Sequence, residues 1–208
     1  MKKFTLLLCT SLGLFGLNQS SAQLQKGNLL VGANIGDIGL GLQSGNTSFS
    51  ISIEPKVGFF IQDNVAIGPA VNLGFSTDNT GTIINYGVGA FGRYYVSDKN
   101  MVLMKHARFF GEASVGINGV NSDPKGSVGS TNTNGLGLGF GPGVAYFITP
   151  NIGLEALLKY DLTVGFGNAT TLNNFGIHVG FQIYLPSKKA RAIYNDAAKE
   201  VKGSGDND

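Results

Sequence analysis

Between Phe49 and Ile61 every second residue is apolar, and this two-residue period is what most restricts the folds open to the chain. One parity reads Phe49, Ile51, Ile53, Pro55, Val57, Phe59 and Ile61, while the other reads Ser48, Ser50, Ser52, Glu54, Lys56, Gly58 and Phe60. Successive side chains of a strand point to opposite faces, so each such run is a strand with one greasy side. The same split recurs in 65–75, 84–96, 136–146, 154–162 and 175–183. Two weaker runs, Leu29 to Ile35 and Phe109 to Ile117, bring the expected number of strands to eight. An even number returns both ends of a closed antiparallel sheet to one side.

Alternating strands can build a soluble sandwich, with the apolar parity as its core, or a membrane barrel, with that parity against lipid. The second parity decides. A water-facing side would be crowded with charge and amide, yet here it is mostly Gly, Ser and Ala, and charged residues are only 13% of the chain. Small residues suit a narrow interior where eight walls converge. The charges on that parity are Glu54, Lys56, Arg93, Glu112, Glu155, Lys159 and Asp161. Facing a lumen they are expected to neutralise one another as an ion network, because a lone buried charge costs several kcal/mol. The expected class is therefore all-β: an eight-stranded antiparallel transmembrane β-barrel with a side-chain-filled lumen. Phe59, Tyr94, Phe109 and Tyr146 fall at one end of the strands, and Phe49, Phe75, Phe140, Phe166 and Phe175 at the other, as two interfacial girdles would.

Turn-forming residues place tight connections at Gln62-Asp63-Asn64, Ser97–Asn100 and Thr149-Pro150-Asn151. Longer polar loops are expected at roughly 37–47, 76–82, 118–134 and 165–173, the last-but-one being the most exposed candidate for binding. Met101 to Arg108 shows no readable faces. Phe59–Ile67 and Tyr146–Leu154 echo one another as aromatic pair, turn and apolar restart, which reads as two hairpins of one kind.

The flanks differ in character. Lys2 and Lys3, the apolar Phe4 to Leu17 and the small Ser20-Ser21-Ala22 read as a cleavable signal peptide over 1–22. The barrel is expected over 23–185 and a periplasmic tail over 186–208. In that tail Ala190, Ile193, Tyr194, Ala197 and Val201 form one helical stripe ahead of Gly203, read either as a helix docking on a periplasmic partner or as a short solvated helix. Loss of the two signal lysines takes the formal charge from +2 to zero, so no nucleic-acid partner is expected.

The strand grammar of Phe49–Phe60, Gly92-Arg93-Tyr94-Tyr95, Gly141–Phe147 and the closing Phe175–Leu185 resembles the outer-membrane β-barrel domain family of Gram-negative bacteria, the small porin-like or OmpA-like barrels. The resemblance covers about 27–185. It implies an outer-membrane location, membrane lipids as surroundings, and the barrel-insertion machinery as a partner that reads a last strand such as Gly176–Leu185. The chain departs from the pattern in carrying Pro186–Asp208 after that strand.

Little chemistry accompanies the fold. Cys9, the one cysteine, lies in the signal segment, and His106 and His178 are the only histidines. No metal or cofactor is expected. His178 has lumen parity and is expected to be packed and hydrogen-bonded. Gly135–Gly143 lacks the strand–loop–helix setting of a dinucleotide loop, and a Glu112–Glu155 acid pair has no room for a sugar. The expected role is non-enzymatic, in envelope structure or loop-mediated binding. The alternatives are a lipid-modifying barrel enzyme, which needs a Ser/His/acid set, and a secreted soluble barrel that binds a lipid or sugar.

Overall fold

The computed structural model describes residues 23–43, 46–96, 106–126, 129–166 and 171–188. Eight strands run antiparallel in chain order: β1 (Leu29–Gln43), β2 (Asn46–Gln62), β3 (Val65–Thr77), β4 (Gly81–Tyr95), β5 (Ala107–Pro124), β6 (Thr131–Thr149), β7 (Ile152–Gly165) and β8 (Thr171–Leu185). Each pairs with its neighbour, and β1 closes on β8. We call the end holding Leu29 and Leu185 the base, and the other end the rim.

The alternation resolves into inside and outside around the whole circumference. On β2 the inward side chains Ser52, Glu54, Lys56 and Phe60 are buried, whereas Ile51, Ile53, Phe59 and Ile61 are exposed. Val88 is 62% exposed, Ile117 57% and Ile177 67%, so the greasy side chains do not meet in a dry middle. A continuous apolar belt of this extent cannot face water. It is a membrane-spanning surface. Phe49 and Phe59, both exposed on β2, are ten residues apart. At about 3.4 Å per residue and a tilt of roughly 40° they stand about 26 Å apart along the axis, close to the ~25 Å apolar band of such barrels. Near the rim the outward Tyr86 hydroxyl bonds Asn132 and Asn134, and Tyr160 bonds Asn173 at 2.7 Å, the amphipathic placement of an interfacial girdle.

The strand ends correct the expected extent of the long loops, while the tight turns at 62–64 and 149–151 stand as expected. At the rim the strand ends leave only 44–45, 78–80, 125–130 and 166–170 between them, whereas the tight turn expected at Ser97–Asn100 lies outside the described residues. Two physical reasons account for this. On β1 the register shifts between Gly36 and Gly39, with Asp37 at φ 50°. This bulge exchanges the two faces, so Ile38, Leu40 and Leu42 point outward while Gly39 and Gly41 lie opposite Ser50 and Ser48. A strand that changes parity halfway reads as two fragments and a loop. On β5 and β6 the ladder continues through Asn118–Ser122 and Thr131–Gly135, where Val120 is the one apolar side chain. Hydrophobic periodicity ends where the hairpin leaves the apolar zone, but backbone pairing does not.

The base is closed off by the segment that leads into β1, residues 23–28. Gly27 N–H donates to the Phe60 carbonyl (2.8 Å), Asn64 N–H donates to the Leu24 carbonyl (2.7 Å), and Leu24 is buried. Asn64, at φ 65°, occupies the left-handed position of the two-residue turn at Asp63-Asn64, which an asparagine tolerates. The β1–β8 seam is paired only from Leu29–Ile35 to Val179–Leu185, the base half, and the Asn28 side-chain oxygen accepts from Ser187 N–H across it. The expected signal segment 1–22 and the tail helix over Ala190–Val201 lie outside the described residues.

A candidate site in the barrel lumen

The lumen is layered, and the layers follow from which strands send large or small residues inward. Nearest the base, Phe60, Tyr95, Phe110, Phe147 and Tyr184 converge with Leu24, Leu30 and Leu157. Ring centroids lie 5.0–6.4 Å apart, from Phe147–Tyr184 to Phe60–Tyr184, within the range of favourable aromatic pairs. The result is a plug. Sequence reasoning did not single out this layer, although a signal was present. Phe59-Phe60, Tyr94-Tyr95, Phe109-Phe110 and Tyr146-Phe147 are consecutive aromatics at the base ends of four strands. One member of each faces the membrane and the other fills the lumen.

Above the plug lie the seven charges singled out from the sequence. Six ion pairs link them as one alternating chain: Asp161–Lys159 (3.3 Å), Lys159–Glu54 (2.7 Å), Glu54–Lys56 (2.6 Å), Lys56–Glu112 (2.9 Å), Glu112–Arg93 (2.7 Å) and Arg93–Glu155 (2.7 Å). Six of the seven side chains are at most 6% exposed, and Asp161, at 30%, opens toward the rim. Arg93 is the hub. Its Nε and Nη2 donate to Glu112, its Nη1 donates to both Glu155 oxygens and to the Tyr95 hydroxyl, and its guanidinium lies 4.0 Å from the Phe110 ring centre. Tyr184 O–H adds a bond to Glu155 at 2.7 Å, tying the ion chain to the plug. Each charge has an opposite charge in contact, and this pairing offsets the desolvation that would otherwise exclude them.

Glycines on β6 make room for this filling. A Cβ on Gly139 would stand 2.5 Å from both Asp161 Oδ1 and Ser114 Oγ, and one on Gly143 would strike the Phe110 ring. Above the ion chain the lumen widens into a cup of about 220 Å³ open at the rim, its polar lining including Asp37, Asn72, Asn118, Asp161, Asn174 and His178. Here the expectation for His178 needs correction. It is buried in the lumen, but its Nε2 has no hydrogen-bond partner among the described residues. His106 sits at the base, 6.2 Å from the Tyr146 ring. Among the described residues no cluster of His, Cys, Asp or Glu could hold a metal ion.

Comparison with known proteins agrees with this architecture. The family model of the outer membrane protein beta-barrel domain matches residues 7–182. None of the curated proteins matches in sequence. Among solved structures, Neisserial surface protein A is 18% identical, with a TM-score of 0.53 over 76% of this chain and 96% of that one. Ail, the attachment invasion locus protein of Yersinia pestis, is 12% identical with a TM-score of 0.48, over 76% of this chain and 100% of the other. The N-terminal barrel domain of Pseudomonas aeruginosa OprF is 18% identical with a TM-score of 0.45, over 76% and 98%.

Proposed function

The chain belongs to the outer membrane protein β-barrel domain family, and from that premise we propose that it acts without catalysis, as a closed barrel serving the envelope through its outer surface and rim hairpins. In this reading the base faces the periplasm and the rim faces outward. Membrane lipids are its surroundings, the barrel-insertion machinery is its assembly partner, and the segment after Leu185 is available to a periplasmic partner.

One observation carries the reading: the aromatic plug and the ion chain together fill the lumen from Leu24 up to Lys159. A solute entering from the rim meets a floor of paired charge and stacked rings. With the lumen filled in this way, contact with the exterior falls to the rim hairpins, the β5–β6 hairpin among them. Against a lipid-modifying enzyme, His178 points into the lumen and is only 3% exposed, out of reach of a lipid on the barrel wall. Against a soluble barrel stands the apolar belt.

The test is conductance. Purified protein folded into a planar lipid bilayer is expected to give no stable channel openings, and steps of porin size would overturn the proposal. The enzyme alternative is tested by His178→Ala, which is expected to leave the cell's lipid profile unchanged.

A further inference from the structure

The ion chain carries three basic and four acidic groups, so it does not neutralise itself. Its rim-side end is Asp161, whose contact with Lys159, at 3.3 Å, is the longest of the six. Asp161 stands opposite Asn174 in the β7–β8 register, and Asn174 Nδ2 donates to Asp37 Oδ1 at 3.1 Å. Two carboxylates from β1 and β7 thus flank one asparagine of β8 at the mouth of the cup. Asp37 is there because of the bulge: it holds a left-handed φ of 50°, which costs a non-glycine residue energy, although an aspartate least. Strain of this kind, at a residue lining a cavity, is a pointer to function.

Acidic residues alone would not define a site. The independent observation is His178, 3% exposed, whose Nε2 finds no partner among the described residues. Its Nδ1 edge packs on Gly36, where any side chain would collide with the ring, and this turns Nε2 the other way, toward Gly176. Asp37 Oδ1 and His178 Nε2 lie 3.2 and 3.6 Å from the position a Cβ on Gly176 would take. Glycine therefore leaves open the space between two acceptors, and a single nitrogen can bridge them. Asp161 supplies a third acceptor on the facing wall of the same cup.

We propose that the cup between Asp37, Asp161 and His178 binds a small primary-ammonium solute. An alkylammonium group carries three N–H donors and no acceptor, which complements two carboxylates and the unpartnered ring nitrogen of His178. A volume of about 220 Å³ admits a short amine of a few carbons. The amide groups of Asn72 and Asn118 offer further polar contact to its remainder. Because the floor is closed, the site captures from the rim and releases to the rim.

The experiment uses the full chain folded in detergent, with methylammonium, ethanolamine and putrescine as probes. The imidazole resonances of the two histidines are followed by NMR. A saturable shift at His178 with His106 unmoved is expected. Asp37→Asn keeps the hydrogen-bonding shape and tolerates the left-handed backbone, and it is expected to weaken binding at least about tenfold. Asp161→Asn should do the same. If it fails to give a heat-shiftable band, the Asp37→Asn result alone stands. Neutral isosteres such as methanol or 1,4-butanediol are expected to leave His178 unshifted. The proposal is overturned by the absence of a saturable shift, by equal response to the neutral compounds, or by undiminished binding in folded Asp37→Asn protein.

Discussion

Replacing Arg93 by methionine removes the cation that joins two buried carboxylates while keeping an unbranched apolar stem against Phe91 and Phe110. Arg93 donates to Glu112 at 2.7 and 3.0 Å and to Glu155 twice at 2.7 Å. Net values of roughly 1.5–3 kcal/mol per hydrogen bond to a charged group would sum to an overestimate. Glu112 keeps Lys56 at 2.9 Å, and Glu155 keeps the Tyr184 hydroxyl at 2.7 Å. What remains is a glutamate, Glu155, whose side chain is 1% exposed and which now lacks a cation. Removing one partner of a buried pair costs about 3–5 kcal/mol, and that is the expected destabilisation. Since the cost lies in the stranded charge, Arg93→Met combined with Glu155→Gln should be milder than Arg93→Met alone. Unfolding in urea from lipid vesicles measures both, followed by far-UV circular dichroism and tyrosine fluorescence, because the chain has no tryptophan. A loss below about 1 kcal/mol for the single variant, the size of an ordinary substitution, would refute the reasoning. So would a double variant as unstable as the sum of its parts.

Three further outcomes are expected. Gly143→Leu drives a side chain into the Phe110 ring and should cost at least about 1–3 kcal/mol by overpacking, seen as loss of the heat-shiftable band on gels, while the adjacent outward Val144→Leu should fold normally. Val115→Arg, an exposed apolar position midway along β5, should cost about 2–4 kcal/mol in lipid vesicles if this wall faces the bilayer midplane; an unchanged urea midpoint contradicts that placement. In the rim turn, Asp78 accepts from the Thr80 hydroxyl and from the backbone N–H groups of Thr80 and Gly81, which hold its carboxyl below the usual aspartate range. Its contribution is therefore complete above the unfolded-state value of about 3.9 and fades only as pH falls through the lower folded value; carbon NMR of the Asp78 carboxyl should titrate below 3.9, and a midpoint at or above it would be incompatible with these bonds.

The strand faces were legible because Glu54, Lys56, Arg93 and Glu155 share a parity with glycine and serine, and no single-sequence pattern other than a wall between lipid and lumen requires that. What stayed hidden has identifiable causes. The rim half of β1 was unreadable because one extra residue at the Asp37 bulge turns Ile38, Leu40 and Leu42 to the opposite parity. The ends of β5 and β6 were unreadable because outside the bilayer neither face needs to be greasy, so Asn121 and Asn132 pair without any hydrophobic signature. The plug was hidden in plain view. Phe60, Tyr95 and Phe147 each follow an aromatic neighbour; the first member of each doublet was read as a girdle residue, and the second, necessarily on the other face, was not followed into the lumen. Within the lumen, sequence parity carries no information on which cation meets which carboxylate, since Lys159 and Glu54 come from strands 105 residues apart.

The partial fastening of β1 to β8 also says something about the order in which the cylinder is made. Asn28 can hold Ser187, and Leu24 can seat among rings drawn from both halves of the sheet, only once the last strand has reached the first. The stopper at the bottom is thus a record of completed closure. Until the final joint is made, the segment around Leu24 has nowhere to lodge, and its protection from a protease marks the moment the wall becomes continuous.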